Sequence, residues 1–461
     1  MHLHARRTSP ARAALRAASV ATGLAAAALL ILPAEPRAWA ALGGTLDLSQ
    51  RDVRVYPNFS DPEANDNLQA DPNFPGALGA ALAVWKGVAE WGSERRHDGE
   101  GDPTQLAGLG SGGANFDSTW QGLATGVGGI DDNVVSEIAG SSLGVLAFTE
   151  IPLQDGWRIR FYRDAAIWQD GPGLFQGLPD HKDIQGVMCH EYGHALGLAH
   201  SGTSSEWTMF PSGSGTNIGK RSIESDDIDG LRALYGAKSP TKPRIDTYEL
   251  NGSQLTLRGA NFDATANFVW FTDGSLGSDG TPLAAGPLAS NAAGDEITLS
   301  IPAAAIAGDV LVRVPGATGA ALSNAFPFDP TRPPCPPVAI YGTAKTNSLG
   351  LPAELFAQGR AIVGVDDLVI GTGSGIPNAA GILFSGGAAT AAPFFGGTLL
   401  VNRPLRRERP FTFDFLGGVT LPLPVTPQLV GQTRHYQLWF QDAGDPQGVG
   451  LTNAVRVTYC P

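Results

Sequence analysis

Charged side chains are few in this sequence. They make up 16% of 461 residues against 43% apolar, a balance that supports folded cores and excludes wholesale disorder. Basic charge is fewer still: 31 Lys and Arg face 44 Asp and Glu, for a net charge of −13. That sign argues against a nucleic-acid partner. After residue 32 no stretch is apolar enough to span a bilayer, so no membrane span is expected in the mature chain. The glycine-rich stretch 108–129 is not followed by the Lys-Ser/Thr of a phosphate-binding loop, and it reads as surface loop. Cysteine is scarce, with only Cys189, Cys335 and Cys460. Glycine (60) and proline (34) are plentiful instead, which favours loop-rich and β-rich architecture. The length allows three domains.

The chain opens with Arg6, Arg7, Arg12 and Arg16, then an uncharged apolar run from Ala17 to Leu32, then the small-x-small triplet Ala38-Trp39-Ala40. This order reads as a secretory signal peptide over residues 1–40. With Arg37 and Glu35 the segment carries five positive charges and one negative, so the exported chain is near −13 − 4 = −17. A secreted, extracellular protein is expected. Cys335 and Cys460 flank the last region, and in an exported protein they read as one disulfide. Cys189 directly precedes a histidine. One residue is about 100° of helix rotation, so its thiol is expected to face the core.

The richest stretch runs from His190 to His200, with the spacing H-E-x-x-H-x-x-G-x-x-H. His190 and His194 are four residues apart, so on a helix both rings leave one face. Glu191 stands beside that face, where it can reach a water molecule without being a ligand. Gly197 can take the backbone conformation that ends the helix, and the returning chain brings in His200. Three nitrogens leave one position of a tetrahedral Zn²⁺ open, the arrangement of a catalytic site. This spacing resembles the metzincin pattern.

Around the motif, a helix is expected from Gly76 to Trp91, with Leu78, Leu82, Trp85 and Val88 on one stripe. Strands are expected over 45–56, 144–149 and 157–162, and the motif helix over 182–198. A last helix begins with N-cap chemistry at Ser225 or Asp226 and ends at Gly236. Met209 follows His200 by nine residues.

The stretch HEYGHALGLAHS, the methionine at 209 and the closing Asp-Asp-Ile…Leu-Tyr-Gly helix together resemble a matrixin, the matrix-metalloproteinase branch of the metzincins, over about Leu42–Gly236. The resemblance implies His190, His194 and His200 as zinc ligands, Glu191 as general base, and Met209 in a Met-turn beneath the metal. It implies hydrolysis of protein or peptide substrates that lie along the strand 144–149, with residues 210–222 walling the pocket. Ser201 fits the matrixin branch. Pro211 stands where other branches place a tyrosine ligand, so none is expected. Matrixins of vertebrate type carry a zinc-blocking cysteine in a propeptide. None lies between Ala40 and the first strand, so latency by that switch is not expected. The region 163–168 lacks the histidines of the family's structural zinc, and His181 stands alone, so one catalytic ion is expected. Asp131 and Asp132 are weak candidates for calcium, which the sequence leaves open.

From Pro243 the pattern changes to short alternating strands, which suggest a β-sandwich. Residues 243–330 resemble an IPT/TIG immunoglobulin-like domain through Leu-Arg-Gly-Ala-Asn-Phe and the closing Ser-Asn-x-Phe, with a spacer or adhesion role. Residues 335–461 are again strand-like and resemble a C-terminal module of secreted bacterial proteins. The expectation is therefore a multidomain, monomeric chain: signal peptide 1–40, an α+β metzincin domain (a mixed twisted sheet with three helices) over 41–237, an Ig-like sandwich over 243–330 and an all-β domain over 335–461. The rival to a peptidase is a catalytically inactive surface-binding or adhesion protein on the same scaffold. It would usually have lost Glu191 or a histidine, and none is missing.

Overall fold

The structure, a computed structural model, describes residues 39–460 apart from 97–109, 111, 130–131, 151–155, 172–179, 203–204, 206, 213–217, 276–278, 333, 337, 360 and 364–367. Residues 1–38 of the expected signal peptide, Asp131, and part of the expected pocket wall lie outside the described residues.

Strand β1 (Ala40–Ala41) comes first, followed by β2 (Asp52–Val55), helix α1 (Gly79–Ala89), β3 (Thr119–Leu123), β4 (Val134–Ile138), β5 (Ala147–Glu150) and β6 (Arg158–Tyr162). The five longer strands form one sheet in the order β3-β2-β4-β6-β5. Its neighbours run parallel except β5, which is antiparallel to β6. The short pair β7 (Ile167–Gln169) and β8 (His181–Asp183) leads into helix α2 (Ile184–Ala195), then β9 (Leu198–Ala199) and helix α3 (Ser225–Tyr235). One hydrophobic core joins sheet and helices, with Trp85, Trp91, Trp157 and Trp168 fully enclosed. Helices α1 and α2 touch backbone to backbone: a Cβ at Gly87 would meet the Gln185 carbonyl at 2.7 Å and the Cys189 amide at 3.0 Å.

Several boundaries differ from expectation for local reasons. Residues 45–48 are not strand. Asp47 and Gln50 close a capping box around a 3₁₀ turn, Leu48–Gln50, and the strand begins only at Asp52. Helix α1 starts only at Gly79, because Gly76 (φ 84) and Gly79 (φ 58) both take left-handed backbone and Leu78 between them is extended. Helix α2 starts after Asp183, which caps it by accepting from the amides of Gln185 and Gly186. The cap of α3 is Glu224, not Ser225 or Asp226, with Asp227 returning to the Glu224 amide. Trp39 packs against the core beside Gly230, and Ala40–Ala41 pair with Leu198–Ala199, so cleavage after Ala40 would remove a residue that the fold uses.

The second unit is two sheets over a single core. Strands β10 (Arg244–Asn251), β11 (Gln254–Ala260) and β14 (Glu296–Ser300) form one sheet, and β13 (Leu283–Leu288), β12 (Asn267–Asp273), β15 (Ala305–Arg313) and β16 (Phe326–Phe328) form the other. Leu255, Leu257 and Ile297 meet Phe271, Val310 and Val312 between them. The alternation of buried and exposed residues along β14 is the period of two that half-buried strands require. The last unit is also built of strands. A five-stranded sheet holds Thr433–Gln441 between Ala380–Gly386 and Val449–Thr458. A disulfide joins Cys335 to Cys460. Among the described residues no helix is long and apolar enough to cross a membrane.

Candidate metal centre

Helix α2 is fixed at its start before it carries any functional group. The Asp183 carboxylate caps the first turn and also takes a two-point contact from Arg221, at 2.7 and 3.0 Å. Both side chains are fully buried. An ion pair in a low-dielectric interior holds its geometry when every lone pair and proton is matched, and this one ties the helix to the segment that precedes α3.

His190 and His194 leave the same face of α2. Helix geometry ends at Ala195, and Gly197 at φ 100 turns the chain. Glycine is required there twice over, since a Cβ would also meet the Gly44 carbonyl at 2.3 Å. The turned chain pairs as β9 with β1 and delivers His200. The three rings then face one another, with centroids 4.9, 5.3 and 4.7 Å apart. One nitrogen from each lies within 4.8 Å of the other two. Among the described residues this is the one group of three or more His, Cys, Asp or Glu with that geometry. Asp132 does not join such a group; its carboxylate accepts from the Gly129 amide.

The far side of each helical ring is occupied. His190 Nδ1 lies 2.5 Å from the Thr208 carbonyl and His194 Nδ1 2.7 Å from the Leu198 carbonyl. A carbonyl accepts, so each Nδ1 carries the proton and each Nε2 keeps a free lone pair towards the centre. Burial lowers all three imidazole pKa values. His190 falls to about 3, with His194 adding to the effect, and His194 falls to about 4. His200 moves the same way through burial and then Lys220. Neutral imidazoles are the form that binds a metal ion.

Glu191 is buried and follows His190 directly. Thr149 Oγ1, on edge strand β5, lies 2.9 Å from its Oε2 and 2.7 Å from its main-chain oxygen. Burial raises this carboxyl to about 7, opposed by the Thr149 contact. Met209 is buried beneath the helix, and a Cβ on Gly193 would strike its Sδ at 2.2 Å. The turn that holds Met209 is clasped by Asp227, which accepts from the amides of Thr208 (3.0 Å), Met209 (3.2 Å) and Glu224 (3.1 Å). The ammonium of Lys220 bonds the carbonyls of Thr208 and Phe210 at 3.0 and 2.7 Å. Cys189 is fully buried, its thiol pushed well above the usual range by burial.

Thr149, Asp227, Gly193 and the Asp183–Arg221 pair were not picked out as site residues by the sequence reading. Asp183 carried a local signal, an acid just before an apolar helix. Asp227 and Thr149 reach partners 18 and 42 residues away, and no short pattern marks such contacts.

Part of the chain is similar to known proteins. Residues 129–236 match the family model of the matrixin peptidases. The chain is similar to interstitial collagenase of Bos taurus, 46% identical over 73 residues, covering 15% of each chain. It is also similar to human neutrophil collagenase, 43% identical over 92 residues and covering 18% of this chain and 20% of that one. Human matrix metalloproteinase-19 is 30% identical over 149 residues, 27% of each. The chain thus spans less than a third of these relatives' length. A solved tetra-tandem repeat from the extending region of a large adhesion protein aligns with 47% of this chain and 48% of that one, at 11% identity and a TM-score of 0.16. That superposition is too loose to bear on the fold. The chain carries a matrixin domain at residues 129–236.

Proposed function

We propose that the chain is a secreted zinc metalloendopeptidase that hydrolyses peptide bonds in extracellular proteins. The observation that carries this reading is the arrangement of His190, His194 and His200 about one point, with Glu191 beside it on the same helix. The donor set fits Zn²⁺: three neutral imidazole nitrogens, with two tautomers fixed by carbonyls. When bound there, the ion supplies Lewis-acid polarisation of the scissile carbonyl and makes water acidic enough to attack near neutral pH. Glu191 takes the proton of the attacking water and returns it to the leaving amine. Thr149 holds the Glu191 carboxylate in place. Strand β5, at the sheet edge beside Glu191, offers its free side to an extended substrate. Met209 and Asp227 keep the floor beneath the ligands rigid.

Residues 243–330 are read as an IPT/TIG-type immunoglobulin-like domain and 335–461 as a separate β module, in a monomeric chain exported by its signal peptide. The test is to incubate the purified protein with a peptide library, with and without a zinc chelator, and to identify cut bonds by mass spectrometry. Cleavage that stops with chelator and returns with zinc supports the reading; cleavage unaffected by chelator, or none with zinc bound, overturns it.

A further inference from the structure

The sheet of the first unit has two edges, and they are treated differently. At one edge is β5, beside Glu191. At the other is β3, whose residue Thr119 bonds inward to Arg51. The next residue along, Trp120, turns its main-chain groups outward. An edge strand left like this exposes donors and acceptors that folded proteins usually cover.

Here the cover comes from the two-sheet unit. Asp309 on β15 accepts from the Trp120 amide at 3.0 Å, and Thr272 Oγ1 on β12 donates to the Trp120 carbonyl at 2.7 Å. The side chain of Gln121 answers in the other direction, bonding the Phe271 carbonyl (3.4 Å) and the Asp273 amide (3.1 Å). The Asp309 amide in turn donates to Thr272 Oγ1 at 2.9 Å. Asp309 also pairs with Arg96, and both are almost wholly buried. The Arg96 guanidinium lies 4.6 Å over Phe74 and 4.6 Å over Trp85 of helix α1. Trp85 stacks on Trp120 at 4.6 Å and 8°. Nearby, Lys242 at the start of the second unit reaches Asp117 at 2.9 Å, again with both side chains buried. Leu48 joins Trp270, Leu311 and Leu322 in one apolar cluster across the junction.

A spacer domain on a flexible joint would expose these groups to water when it swings away. Two buried ion pairs and a ladder of side-chain-to-backbone bonds do not survive such motion, because each separated charge would stay in an apolar setting without its partner. Helix α1 is gripped on one side by this junction, through Trp85 and Arg96, and on the other side lies against α2 at Gly87. We infer that the two-sheet unit is a fixed part of the three-histidine unit, with Asp309 and Thr272 as positioning residues that close the sheet edge at Trp120 and hold α1 against the histidine-bearing helix. This is independent of whether the site cleaves peptides. It implies that cutting the connection between the units does not release a free matrixin domain.

Two experiments on the full chain test it. A site-specific protease sequence is inserted between the exposed residues Pro240 and Thr241, and the protein is cut. The two pieces should run together in gel filtration and unfold in one calorimetric transition. Pieces that separate, or an N-terminal piece that melts alone at the uncut temperature, overturn the inference. The second experiment is Thr272→Val, which keeps side-chain shape and removes the hydroxyl, read by hydrogen exchange. Losing these buried bonds should speed amide exchange along α1 by roughly tenfold, and Thr272→Ser should restore it. Unchanged exchange in α1, or no rescue by serine, contradicts the positioning role.

Discussion

Thr149 and Glu191 meet across the junction between edge strand and helix, with the threonine hydroxyl 2.9 Å from the carboxylate and 2.7 Å from the same residue's carbonyl. The hydroxyl has one proton, which it shares between these two acceptors of the proposed base. Thr149→Val should lower kcat by about 10- to 100-fold, the usual cost of removing an orienting partner, while leaving zinc content unchanged. Thr149→Ser should recover most of the loss. Steady-state kinetics with metal analysis decides it, and a valine variant with wild-type kcat would remove Thr149 from the proposed mechanism.

Asp227 should matter more to stability than to chemistry. It accepts three backbone amides from two separated segments, and alanine would leave them without partners in a buried place. The expected loss is roughly 2–4 kcal/mol of unfolding free energy, together with weaker zinc binding, because the Met209 turn loses its anchor. Denaturant titration and metal competition measure the two effects separately.

Gly197→Ala addresses the geometry of the third histidine. The backbone at φ 100 and the Gly44 carbonyl both oppose a methyl group. We expect destabilisation of about 1–3 kcal/mol and a larger drop in zinc affinity than in helix content, since His200 is displaced while His190 and His194 stay on α2. Circular dichroism beside zinc titration would separate the two.

Asp170 gives stability a pH dependence. Burial above all, opposed by the Asn67 amide and assisted by Asp66, raises its carboxyl to about 7. The unfolded value is about 3.9, so between about pH 4 and pH 7 the folded protein holds more protons at this site. Its contribution is therefore fully present at the acid end and is lost as pH rises through 7. Asp170→Asn should flatten thermal stability between pH 5 and pH 8. An unaltered pH profile in the variant would rule Asp170 out as the source.

Much of the site could be read from the chain because its information is local. His190, Glu191, His194 and Gly197 sit within one helix and its exit, where spacing alone fixes which side chains share a face. The supporting contacts were hidden because they are long-range: Thr149 to Glu191, Asp227 to Met209, Asp183 to Arg221. Element ends were missed where a side chain competes with the pattern, as Asp47 does by capping a 3₁₀ turn where a strand was expected. The role of residues 243–330 was the least legible. Alternation along the strands gives two faces to each sheet, but not the neighbour that an outer face will meet. Asp309 looks like an ordinary strand acid until Arg96 and Trp120 are beside it.

Glu191→Ala is the decisive variant. Purified alongside the wild type, it should fold, bind one equivalent of zinc with similar affinity, and show no cleavage of casein, while the wild type cleaves it. Cleavage by the alanine variant at the wild-type rate would contradict the proposed role of Glu191 and, with it, the reading of the three-histidine centre as a peptidase site.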